Sequence, residues 1–245
     1  MAIAVRSAIF ILCLALASYT ALANEVVINV LNFGAKPNPK FDSTGAFMKA
    51  WQVVKKSPLH AKLLVPKGEF KVSSMFFAGP CLSLTGVTIE VQGTILAPTD
   101  PSEYVNGDWL FFQDLVGLNL MGGGTFNAQG RSVWPFSQPC PPGDASSCQR
   151  SPATFQFRNV KKSIVQNIKS VDAMGYDMTI SNSDDITIQS FEMITAPDSP
   201  NKDDPIRIDT SANIKVAQTH FRHGANCLSL ARGPTDPAIL KSNCL

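Results

Sequence analysis

The sequence predicts an all-β solenoid, a right-handed parallel β-helix with a helix capping its N-terminal end. Three observations carry this. First, short apolar alternations recur from Ser83 onward: Val87, Ile89 and Val91; Leu118 and Leu120; Ile164 and Gln166; Ile186 and Ile188; Ile214 and Val216. Second, their spacing is solenoid-like. Ile164 to Ile186 is 22 residues, Ile186 to Ile214 is 28, and Leu118 to Ile164 is 46, which reads as two such periods. Third, hairpin signals are sparse, whereas an antiparallel sandwich would place strands every ~8–12 residues with turn signals between them. SNSDDITI and TSANIKV share a pattern of small-polar, x, Ile, x, apolar, as stacked coils with one continuous core require.

The elements follow in order. Residues 1–23 have the pattern of a secretory signal: Arg6 as the positive end, an apolar run over 8–17, and the small-x-small cleavage site Ala21-Leu22-Ala23 before Asn24. The apolar run is too short to span a bilayer. This leaves 24–245 as one domain. An alternating strand is expected over 26–30, then a turn rich in Gly, Pro, Asn and Lys. A helix is expected over 44–56, capped by Ser43 or Thr44, with Phe47, Ala50, Trp51 and Val54 on one face. LLVPKGEF reads as a short strand meeting a turn. GGGTFNAQG, from Gly122, lacks the Gly-Lys-Ser/Thr ending and the following helix of a phosphate loop, so that reading is poor.

Composition narrows the function. The chain of 245 residues is 44% hydrophobic and 16% charged, enough for one large folded domain. A net charge of +2 gives no ground for nucleic-acid binding. No second apolar run could span a membrane, no cofactor motif occurs, and the expectation is a monomer. No N-x-Ser/Thr acceptor is present. Of six cysteines, Cys13 leaves with the signal, and secretion favours disulfides among the rest. Cys140 and Cys148 flank a Pro/Gly/Ser loop they can close. Cys227 and Cys244 form the other natural pair, and Cys81 is free or paired elsewhere. Sequence alone leaves the connectivity open. The CPPGDASSC spacing is not that of a zinc site.

The most informative stretch is TAPDSPNKDDPIRIDTSANIKVAQTHFRHGANCLSL, residues 195–230. With FGA, VPKG and GGGTF upstream, it resembles the catalytic region of the polygalacturonases, glycoside hydrolase family 28. The likeness is strongest to the exo-acting, pollen-type plant members. The resemblance implies a pectin-lyase-like β-helix, a pectin or homogalacturonan substrate and an extracellular, cell-wall location. The family's SPNTDGIHI has become Ser199-Pro200-Asn201-Lys202-Asp203-Asp204-Pro205-Ile206-Arg207-Ile208, and its GDDC has become Gly224-Ala225-Asn226-Cys227.

Inverting hydrolysis needs an acid for the leaving oxygen and a carboxylate for the water. By the family pattern Ala225 stands at the acid and Asn226 at the second water-activating aspartate; neither can exchange a proton near neutral pH. The remaining carboxylate is Asp203, counting from SPN, or Asp204, counting back from GANC. Asp204 is preferred because Ile206 and Ile208 must both face inward, and a one-residue slip would reverse them. Asp184 and Asp185 read as a solvated turn pair. His223 is the one nearby group able to replace the acid. Asn201, Lys202, Arg207 and Arg222 are candidate uronate ligands, with Lys215 and His220 further basic groups near the cleft. The family's later histidine and Arg-Ile-Lys segments are not found before Leu245, so an incomplete solenoid is expected at the C-terminal end. The expectation is a pectin-hydrolase homologue with impaired or lost catalysis. The alternative is a non-catalytic protein that binds pectin or masks a partner on the same scaffold.

Overall fold

The computed structural model describes residues 25–104, 107–136, 151–194, 196, 199, 205–222 and 228–230, and the backbone of 238–240 and 243–244. The signal segment, Cys140 and Cys148 lie outside the described residues. The chain winds as a right-handed parallel β-helix, as the sequence predicts.

Strands β1 (Val26–Asn29), β2 (Ala61–Val65), β5 (Val87–Val91), β8 (Leu118–Met121), β11 (Lys161–Val171), β13 (Asp184–Ile194), β15 (Ala212–Ala217) and β18 (Ala238–Leu240) pair in that order along one wall. A second wall of the same sheet stacks β3 (Glu69–Lys71), β6 (Thr94–Leu96) and β9 (Thr125–Asn127) onto the far half of β11. It continues through β13 to β16 (His220–Arg222) and β19 (Asn243–Cys244). β11 and β13 serve both walls because each bends at a left-handed residue, Asn167 and Ser190. The third wall is a separate six-stranded sheet: β4 (Met75–Ala78), β7 (Asp108–Gln113), β10 (Ala153–Arg158), β12 (Met178–Ser181), β14 (Ile206–Asp209) and β17 (Leu228–Leu230). The described pairings within these walls are parallel, so each coil contributes to every wall it crosses.

Helix α1 (Thr44–Lys55) lies at the N-terminal end. Phe47, Ala50, Trp51 and Val54 are buried, so the expected stripe is the buried face. The cap differs from expectation. Ser43 occupies the N-cap position without a side-chain cap bond, and its hydroxyl instead accepts from the Lys36 N–H at 3.2 Å. The Asp42 carboxylate accepts from the Thr44 N–H at 2.9 Å.

The core is one continuous column. Phe77, Phe112 and Phe157 stack on successive coils at centroid distances of 5.0 and 4.8 Å. Phe155 meets Phe126 and Phe191 edge-on at 4.9 and 5.8 Å. Burying each ring is worth about 1.5–3 kcal/mol. The GGG turn is explained by crowding: a Cβ on Gly124 would lie 2.5 Å from the Val91 carbonyl oxygen of the previous coil.

Two expectations need correction. Leu118 and Ile164 do not stand two periods apart. β8 pairs directly with β11, and the Leu118 N–H donates to Ser163 Oγ at 3.0 Å, 45 residues away. Strands β8 to β11 therefore span one period rather than two. Ile164 also faces outward, beside Asn119 and Thr187, while Val165 is fully buried. A β-branched side chain suits either face of a sheet, so its apolar character misplaced it.

The shared pattern in SNSDDITI and TSANIKV is structural. Ser183 Oγ accepts the Val160 N–H and Ser211 Oγ accepts the Ser183 N–H, each at 3.1 Å. With Ser163 these hydroxyls form a ladder at one corner, each donating onward to the carbonyl two residues before it at 2.8 Å. Asp184 and Asp185 are exposed, as expected, but they open strand β13 rather than forming a turn.

Candidate functional site

Side chains that face outward from the six-stranded sheet form a row in strict register. It runs Phe76, Phe111, Gln156, Thr179, Arg207, Ser229, one residue per coil. Alternation makes this row. Ile206 and Ile208 are fully buried, so Arg207 between them must point out. This agrees with the inward placement of the two isoleucines argued from the sequence. Rungs are ~4.8 Å apart, so the row crosses the sheet as a straight, extended track.

The track changes character along its length. At the N-terminal coils Phe76 and Phe111 stack at 4.2 Å, and Phe76 is exposed. At the C-terminal coils the half-buried Arg207 lies across the Tyr176 ring, 5.8 Å from its centroid. Its Nη1 donates to the Tyr176 hydroxyl at 3.3 Å. Thr179 Oγ1 and Ser229 Oγ, on either side of Arg207 in the row, are buried without a hydrogen-bond partner among the described residues.

Tyr176 and Asp177 sit at the turn leading into β12, and sequence reasoning did not select them. The available signal was position: they immediately precede a strand of this sheet, as Asp204-Pro205 precedes β14. Asp177 is buried, and burial pushes its carboxyl up to about 7, with Ser170 beside it acting in the other direction. One Asp177 oxygen, Ser170 Oγ and Thr154 Oγ1 all lack a well-formed hydrogen bond among the described residues. Asp108, at the start of β7, is raised to about 6 by burial, partly offset by the Ala153 N–H it accepts at 2.8 Å.

Of the residues singled out from sequence, Arg207 alone is described on this face. Arg222 lies on β16, in the other sheet, with Nη2 3.4 Å from Glu192, which also holds Lys169 at 2.8 Å. His220 is in register with that same Glu192. Lys215 is exposed on β15, likewise on the larger sheet. Arg207 and Arg222 therefore belong to different walls. Asn201, Lys202, Asp203, Asp204, His223, Ala225, Asn226 and Cys227 lie outside the described residues, and of Cys244 only the backbone is described, paired with Phe221. Cys81 is a free thiol, half-buried, and burial raises its pKa. Among the described residues no group of three or more His, Cys, Asp or Glu side chains could hold a metal ion. No described helix is long and apolar enough to cross a membrane.

Comparison with known proteins agrees with this architecture. Residues 56–245 match the model for glycosyl hydrolases family 28. An exopolygalacturonase of Arabidopsis thaliana is 33% identical over 221 residues, covering 90% of this chain and 50% of that protein. An exopolygalacturonase of Platanus acerifolia is 28% identical, covering 89% of this chain and 56% of that protein. The chain thus spans about half the length of the curated relatives it matches. The crystal structure of an exopolygalacturonase from Thermotoga maritima superposes with a TM-score of 0.69 at 17% identity, covering 84% of this chain and 55% of that one.

Proposed function

This chain belongs to glycosyl hydrolase family 28, and from that premise we propose that it is a secreted, cell-wall homologue of the pectin-degrading polygalacturonases, able to bind polygalacturonate and impaired in cleaving it. The observation that carries the proposal is Ala225-Asn226, standing where the family has adjacent aspartates. Without the acid the leaving oxygen departs unprotonated. Proton transfer by one placed group is worth roughly 10²–10⁴ in rate.

Asp204 is the proposed surviving carboxylate. Ile206 and Leu228 are partners across β14 and β17. Counting back two residues from each reaches Asp204 and Asn226, which supports Asp204 over Asp203 as the partner of the degenerate pair. Asp204 would polarise water, and His223 is the proposed substitute acid if any cleavage remains. Arg207, with Asn201 and Lys202, is the proposed contact with the uronate carboxylates. The outer row of the six-stranded sheet crosses six successive strands in register, which suits an extended polymer. A pairing of Cys227 with Cys244 is proposed as well; it would close a loop of roughly 15–20 residues, worth on the order of 3 kcal/mol in the chain-entropy model, and mass mapping of the secreted protein that finds both thiols free would refute it.

The test is release of reducing ends from polygalacturonate by protein purified free of host pectinases. The expected rate is lower than that of an intact relative by on the order of 10⁴ or more. A rate normal for the family sinks the impaired reading and makes His223 the first residue to mutate. A second reading, a non-catalytic protein that binds pectin or masks a partner, rests on the same substitutions. Retention on immobilised pectin without any cleavage favours it.

A further inference from the structure

We infer that Arg207, Tyr176 and the hydroxyls of Thr179 and Ser229 form a carboxylate-recognition site on the outer face of the six-stranded sheet, in which Tyr176 is a positioning residue that makes the chain select free uronates over methyl-esterified ones. The inference rests on the polyuronide-binding reading above and adds the residue that sets selectivity.

Other described cations that form ion pairs show what a committed positive charge looks like here. Lys62 lies 2.7 and 3.0 Å from Glu25 and Glu90, and Lys169 and Arg222 share Glu192. Arg207 differs: among the described residues no carboxylate pairs with it, and its guanidinium donates to a neutral phenol. That bond occupies one of five guanidinium N–H groups and leaves a planar fork for a two-oxygen acceptor. The phenol oxygen accepts from Arg207, so the tyrosine's own proton remains available as a further donor. The ring beneath the guanidinium holds its plane by cation–π attraction.

The flanking residues point the same way. Thr179 and Ser229 are the register neighbours of Arg207 on either side, ~4.8 Å away along the row. Both hydroxyls are buried with unused donors, a condition that costs stability. A cation between two unused hydroxyl donors, with a phenol proton beside it, matches the oxygens of a carboxylate. A methyl ester removes the charge and one of the two equivalent acceptor oxygens, so the fork loses its bidentate partner.

The test titrates the full chain with a de-esterified oligogalacturonide and with the same oligomer fully methyl-esterified. The parent protein is expected to bind the de-esterified form about tenfold or more tightly. Arg207→Gln should erase that preference, and Arg207→Lys, which keeps charge without the fork, should restore only part of it. Tyr176→Phe should weaken the de-esterified ligand about fivefold and leave the esterified one unchanged. If Tyr176→Phe weakens both ligands equally, its role is structural and the assignment is overturned. If the parent discriminates and neither Tyr176→Phe nor Arg207→Gln alters the ratio, recognition lies elsewhere and the inference falls while polyuronide binding stands. If the parent binds neither oligomer, both readings fall.

Discussion

The early and late coils share one backbone frame and fill it with different chemistry. On the inner face of the six-stranded sheet one register column runs Phe77, Phe112, Phe157, then Ile180 and Ile208. On its outer face the neighbouring column runs Phe76, Phe111, Gln156, then Thr179 and Arg207. Aromatic rungs therefore give way to polar ones outside at β10 and to aliphatic ones inside one coil later, at β12. Stacked rings stabilise by area and by geometry. The later coils keep the burial but carry unpaired hydroxyls, a buried carboxyl and a cation without a carboxylate partner among the described residues. Groups that cost stability collect where recognition is proposed, and the aromatic packing that offsets them sits on the preceding coils.

The largest expected effect tests the aromatic side of this contrast. Phe112→Ala should cost about 3–5 kcal/mol in denaturant unfolding, because Phe112 stacks with both Phe77 and Phe157 and is almost fully buried. Ile208→Val, on the aliphatic side of the same column, should cost only about 0.5–1.5 kcal/mol. Equal losses would mean that the two halves are packed alike.

Gly124→Ala comes next. The added Cβ would fall 2.5 Å from the Val91 carbonyl oxygen and 2.6 Å from that of Gly93, so two coils must separate. A loss of about 1–3 kcal/mol is expected. An unchanged melting temperature would show that the coil spacing is soft there.

A third test separates the halves by pH. Asp177 is raised from 3.8 to about 7 and Asp108 to about 6, both chiefly by burial. The folded state therefore holds these protons at pH values where the unfolded chain has released them. Their stabilising contribution is fully present below pH ~4 and is lost as pH rises through about 6 and 7. The melting temperature should fall across that window. Asp177→Asn should flatten the upper part of the fall, and Asp108→Asn the lower part. A melting temperature that rises from pH 4 to pH 7 in the parent, with no change in Asp177→Asn, would contradict the burial argument.

The smallest effect belongs to the exposed ring. Phe76→Ala should cost about 0.2–1 kcal/mol, the value of a cross-strand pair at a solvent-facing edge. A loss matching that of Phe112→Ala would make the outer aromatic pair part of the core and blur the contrast.

Several features of this protein were determined by its sequence alone. Local rules sufficed for the face of α1 and for the inward Ile206 and Ile208, because each follows from a period of 3.6 or 2 within a few residues. The polygalacturonase resemblance, too, is carried by contiguous segments. Only the tertiary structure decided what depends on register between coils. That includes the single long coil from Leu118 to Ser163, the outward turn of Ile164, the unused hydroxyls beside Arg207, the Tyr176 ring beneath it and the Glu192 that holds Arg222 on another wall. Arg207 and Tyr176 are 31 residues apart in sequence, and their contact exists because the chain between them completes one turn of the solenoid. The length of that turn depends on how many residues leave the wall at each corner. Hydrophobic periodicity along a strand carries no record of that number, so the partners across coils stayed hidden until the coils were stacked.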